Sequence, residues 1–113
     1  MRFMMLMYDD LSGVEPGPEE IATETHFMAW DGSVAEHGAT HRGIRLRPPG
    51  EAVTVRVRDG ETLVTDGPFA ETTELIAGYE IVECADLDVA IAVAGGHPTT
   101  FTGTVEIRPF WEG

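Results

Sequence analysis

Arg2-Phe3-Met4-Met5-Leu6-Met7-Tyr8 is the stretch on which the fold turns. After Arg2 every side chain is apolar or aromatic, the run is short, and Asp9-Asp10 closes it. That pattern belongs to a strand covered on both faces in the middle of a sheet. The two aspartates and the lack of a small-residue cleavage site argue against a signal peptide. With 113 residues the chain has material for one hydrophobic core, so residues 1–113 are read as a single domain.

Working outward, Pro18-Glu19-Glu20 opens a helix, with proline at a first helical position and carboxylates where the helix dipole favours them. Ile21, Met28 and Ala35 recur at helical spacing, Phe27, Trp30 and Val34 widen the stripe, and Gly38 offers the stop, which predicts a helix over 18–37. A strand is expected over 40–47, ended by Pro48-Pro49. Val53, Val55 and Val57 alternate with polar residues, and Asp59-Gly60 is a two-residue turn before Glu61-Thr62-Leu63-Val64-Thr65. A hairpin follows that pairs Arg58 with Glu61 and Val55 with Val64.

Asp66-Gly67-Pro68-Phe69 then breaks the alternation as an ordered loop. Residues 76–84 read as an internal strand, and Asp86 precedes a second helix whose expected stripe is Leu87, Ala90, Ile91 and Ala94, stopped by Gly95-Gly96. Residues 104–110 alternate as a last strand. The order β, α, β, hairpin, β, α, β gives an α+β class: a ferredoxin-like βαββαβ chain with an inserted β-hairpin and both helices on one face of an antiparallel sheet. A second copy is the simplest cover for the other face, so a two-fold homodimer is expected.

Acidic residues outnumber basic ones by 20 to 7, a net charge of −13, which disfavours nucleic acid and anionic membranes as partners. No apolar run reaches the roughly 20 residues of a bilayer span. The lone Cys84 sits in an apolar run and reads as a small buried hydrophobe. These features fit a cytoplasmic protein.

Val53 to Gly60, Leu63 to Thr72 around Asp66-Gly67-Pro68-Phe69, and Ala77-Gly78-Tyr79 together resemble the DGPF branch of the YCII-related proteins. The likeness extends to Phe3 to Tyr8 and to Gly103 to Trp111. It implies a dimeric α/β-barrel type of fold with a cleft between helices and sheet. It also implies a suspected enzymatic activity, since family members carry a histidine and an aspartate there, and some are associated with alternative sigma factors. This sequence departs from the pattern at His97-Pro98, where the family has Asp-Pro.

Asp66 is the leading catalytic carboxylate, since its loop restrains it, although it could equally hold the turn through backbone amides. His26, one helical turn from Trp30, is a second candidate for acid-base work, against a surface or core role. His97 reads first as an exposed loop histidine and second as one reaching a pocket mouth. For ligand binding the candidates are Tyr8, Trp30, Phe69 and Arg108: the rings as walls or core, the guanidinium for a substrate carboxylate or for Glu106. His37 and His41 are four apart, but Gly38 separates them, so no metal is expected, and no cofactor motif is present. The functional expectation is a small cleft enzyme acting by His/Asp acid-base chemistry on a small-molecule ligand. The alternative is a non-catalytic dimeric ligand-sensing or regulatory interaction module.

Overall fold

A computed structural model describes residues 1–10, 30–69 and 74–111. The predicted first half of helix one, with Ile21, His26, Phe27 and Met28, lies outside the described residues. Six strands are described: β1 (Arg2–Asp10), β2 (Thr40–Arg45), β3 (Val53–Arg58), β4 (Glu61–Asp66), β5 (Glu74–Glu83) and β6 (Thr104–Pro109). Residues 30–36 form helix α1, and Leu87–Gly95 form α2.

Strands β2, β5, β1 and β6 make one sheet in that order, every neighbouring pair antiparallel. The protein is therefore α+β, with a topology compatible with a ferredoxin-like fold. As the apolar run demands, β1 is central. Its alternate residues Phe3, Met5 and Met7 are fully buried, while Met4, Leu6 and Tyr8 on the other face are only half-buried. Strand alternation explains the split, because one face lies in the core with the helices and the other is only partly covered by the described residues.

Glycine ends α1 as expected. Gly38 adopts φ +69, and the Ala39 amide donates to Val34 O at 3.1 Å while the Gly38 amide donates to Ala35 O at 3.0 Å. These two bonds close a left-handed cap that a side chain at Gly38 would strain. The stripe on this helix is narrower than the spacing suggests: Trp30 and Val34 are buried but Ala35 is exposed. On α2 the core face is rotated from expectation, since Ala90, Val93 and Ala94 are buried while Leu87 and Ile91 are about half exposed. Small residues at 90 and 94 on the buried face suit close packing of the helix on the sheet.

Among the described residues, strands β3 and β4 pair only with each other, in the register that sets Arg58 against Glu61 and Val55 against Val64. Asp59 and Gly60 both take positive φ, 51 and 78, matching the turn whose twist suits a two-residue loop. Its next loop is tied back to the start of β3: the Gly67 amide donates to Ala52 O at 2.7 Å, and the Thr54 hydroxyl donates to Gly67 O at 2.8 Å. Strands β3 and β4 nevertheless leave Val53, Val55, Val57 and Val64 about 60% exposed.

Asp86 caps α2 by accepting the Val89 amide at 2.9 Å. Replacing it by alanine orphans that donor, and Asp86→Ala is expected to cost about 1 kcal/mol, lowering the melting temperature by about 4–8 °C. Thermal unfolding followed by circular dichroism checks this, with Asp88→Ala as the control that changes it less.

Candidate functional site

The strand register gathers polar groups on the helix-facing side of the sheet. Met5 lies opposite Glu80, Glu80 opposite Gly43, and Val82 opposite His41. Alternation therefore aims the Glu80 and His41 side chains at the layer that holds Trp30. Gly43 makes the room: a Cβ there would come within 2.6 Å of the Glu80 carboxyl and 2.0 Å of Tyr79 O. A bulge at Ala77 shifts the β1–β5 register after Met7, and such bulges re-aim neighbouring side chains.

Trp30 is the hub. It is 2% exposed, and its indole N–H donates to Val93 O at 2.7 Å, tying α1 to α2. His41 meets one edge of the indole at 4.5 Å between ring centroids, and His97 meets another at 4.7 Å. His41 Nδ1 bonds Glu80 Oε2 at 2.9 Å, and its Nε2 bonds Asp31 Oδ1. A neutral imidazole has one N–H, so two carboxylate partners favour the doubly protonated ring. Burial pulls the His41 pKa down, but the hydrogen bond and charge of Glu80, then those of Asp31, outweigh it and leave it raised.

His97 behaves in the opposite way. It is 2% exposed, which corrects the exposed-loop expectation: the turn Pro98–Phe101 folds it inward, and its Nδ1 accepts the Thr99 amide at 3.1 Å. Burial first, and then the charge of His41, push its pKa down to about 4. With Nδ1 accepting, the neutral ring carries its proton on Nε2.

His97 and Glu80 line one cavity of about 200 Å³, together with Met7, Asp9, Arg45 and Gly78. Asp9 is steadied by the Thr102 hydroxyl, which donates to it at 3.0 Å. This cavity therefore combines two carboxylates, Glu80 and Asp9, with a neutral imidazole and a guanidinium beside apolar side chains. Spacing along the chain could not show this, because Glu80 and His41 are 39 residues apart. The available signal was the alternation of β2 and β5, which places His41 on the core face with Glu80 once the register is known.

Other candidates lie elsewhere. Asp66 ends β4 opposite Val53, is exposed, and does not line the cavity that His97 lines. Phe69 is 73% exposed with the Arg56 guanidinium 4.7 Å from its ring centre. Tyr8 and Phe69 border a second, mostly apolar hollow of about 460 Å³ beside Leu46 and Pro68. Tyr8 donates its hydroxyl to Glu106 Oε1 at 2.8 Å, and Arg108 Nε stands 3.9 Å from Glu106 Oε2. The hydrogen bond to Glu106 keeps the Tyr8 phenol above its ordinary pKa, with desolvation and the Glu106 charge adding to it. Register places these three on the sheet face opposite the histidines, Leu6 against Glu106 and Met4 against Arg108. His26 lies outside the described residues. His37 turns back on its own helix, its Nδ1 2.7 Å from Ser33 O. Among the described residues no cluster of three or more metal-ligating side chains forms, and no helix is long and apolar enough to cross a membrane.

Comparison with known proteins adds a family. The model of the YCII-related domain matches residues 1–112. An uncharacterized protein of Rhizobium meliloti (strain 1021) is 45% identical over 113 residues, spanning 96% of this chain and 91% of that protein.

The two imidazoles have opposite effects on stability. Because the folded pKa of His97 lies near 4, below its unfolded value of 6.5, the unfolded chain takes up a proton first, and this stability contribution is lost as pH falls from 6.5 toward 4. The raised value of His41 gives a contribution that is full below 6.5 and lost as pH rises through its folded pKa. Imidazole proton resonances followed by NMR from pH 8 to 4 should show His97 still neutral at pH 5.5 and His41 charged at pH 6.5.

Proposed function

Because this chain belongs to the YCII-related family, we propose that it is a small cleft enzyme that moves a proton on a small carbonyl compound, with Glu80 as base and His97 as hydrogen-bond donor. The observation that carries the reading is that a carboxylate and a neutral imidazole line one cavity of about 200 Å³. In the step considered, Glu80 forms an O–H bond with a proton taken from the atom beside the carbonyl. The electron pair left behind moves onto the carbonyl oxygen, and the His97 Nε2–H donates to that oxygen. A neutral imidazole suits this role because it polarises the carbonyl without surrendering a full proton. Arg45 supplies a cation for an acidic group on the same molecule. His26, Asp66 and Arg108 take no step in this scheme.

The Asp66-Gly67-Pro68-Phe69 loop supports membership of the DGPF branch. The buried, unpaired Cys84, its thiol pKa raised by burial, supports residence in the reducing cytoplasm. A homodimer is part of the proposal: the half-buried Met4, Leu6 and Tyr8 face and the exposed valines of β3 and β4 form apolar surface that a second copy would cover. That same surface favours the second reading, a dimeric module that senses a ligand or binds a regulatory protein without turnover.

Differential scanning fluorimetry against a panel of small keto acids, aldehydes and amides tests the first reading. At least one compound should raise the melting temperature and be converted, and Glu80→Gln should slow its turnover by about 10²- to 10⁴-fold. Stabilising compounds that are never converted would support the sensing module instead. Sedimentation velocity at micromolar concentration should give twice the 12.3 kDa chain mass, and a monomer would overturn the dimer.

A further inference from the structure

We infer that Asp31 and His41 are positioning residues for Glu80, a chain of three side chains that commits one carboxylate oxygen to the protein and leaves the other for the ligand. The inference rests on the reading of Glu80 as the group that meets the ligand. His41 does not itself line the cavity, yet both of its ring nitrogens are engaged: Nδ1 with Glu80 Oε2 at 2.9 Å and Nε2 with Asp31. Side-chain exposure falls along the chain from 56% at Asp31 through 23% at His41 to 13% at Glu80, so the charge arrangement leads from solvent toward the cavity.

Two further features of the fold serve this arrangement. Trp30 packs its indole against the His41 ring, which limits the ring's rotation. Gly43 leaves space beside the Glu80 carboxyl, where a Cβ would lie 2.6 Å from Cδ and Oε2. An imidazolium locked between two carboxylates costs little entropy to align, because each partner lies on a different element: α1 for Asp31 and β5 for Glu80. An isolated surface ion pair lacks such restraint and contributes little. The charged groups that face His41 among the described residues are Asp31 from α1 and Glu80 from β5, with His97 beyond Trp30 as the remaining titratable ring.

The test is NMR of the ligand-free protein, reading the His41 ring nitrogens and the Glu80 side-chain carboxyl carbon across pH 4 to 9. In the wild type the Glu80 carboxyl resonance should show an inflection at the His41 midpoint. Asp31→Asn should lower that midpoint by about one pH unit and carry the Glu80 inflection with it. His41→Gln should abolish the inflection while the amide spectrum and melting temperature show a folded chain. A Glu80 resonance indifferent to His41 titration, or an Asp31→Asn midpoint equal to the wild type, would overturn the relay. No ligand enters the measurement, so a compound panel without hits would count against the catalytic reading alone.

Discussion

The buried hydrogen bond from the Trp30 indole to Val93 O is the contact on which the functional half of the molecule depends. A tryptophan is a large apolar body with a single donor, and that donor must be satisfied once the ring leaves water. Here the carbonyl is on the last turns of α2, so satisfying one N–H fixes the spacing of two helical elements above the sheet. The His41 and His97 rings pack against the same indole.

Two histidines packed against one indole are held in different electrostatic environments. His41 lies at the rim, where Asp31 and Glu80 compensate the cost of partial burial, and it favours the charged form. His97 is tucked beneath a short turn, its Nδ1 accepting the Thr99 amide, and burial dominates there, so the neutral form prevails. A charge at the first also penalises a charge at the second. The pair thus holds one ring neutral and favours charge on the other, a difference that identical environments could not supply.

The two faces of the sheet divide the remaining work. On the helix side, small residues, Gly43 in β2 and Ala90 in α2, allow close approach and leave a compact cavity. On the other side, Tyr8, Glu106 and Arg108 form a polar cluster beside apolar residues that the described residues leave only half-buried. The β3–β4 ribbon has the same unpaired character: a two-stranded sheet with exposed valines draws little stability from its own contacts, so further apolar cover would stabilise it.

Period and punctuation in the sequence determined the elements themselves. Unbroken apolarity from Phe3 to Tyr8 required a central strand, valine alternation with Asp59-Gly60 required the hairpin and its register, and Asp86 and Gly38 marked helix ends because capping is a local matter of backbone donors and acceptors. Only half of the α2 stripe was legible: Ala90 and Ala94 are buried as the spacing predicts, while Leu87 and Ile91 are exposed and Val93 packs inward with the alanines. The grouping of Glu80 with His41, Asp31 and His97 was hidden. It arises from strand pairing between segments far apart in the chain and from the burial that separates the two imidazoles, and neither the pairing partner nor the local dielectric is written in residue order.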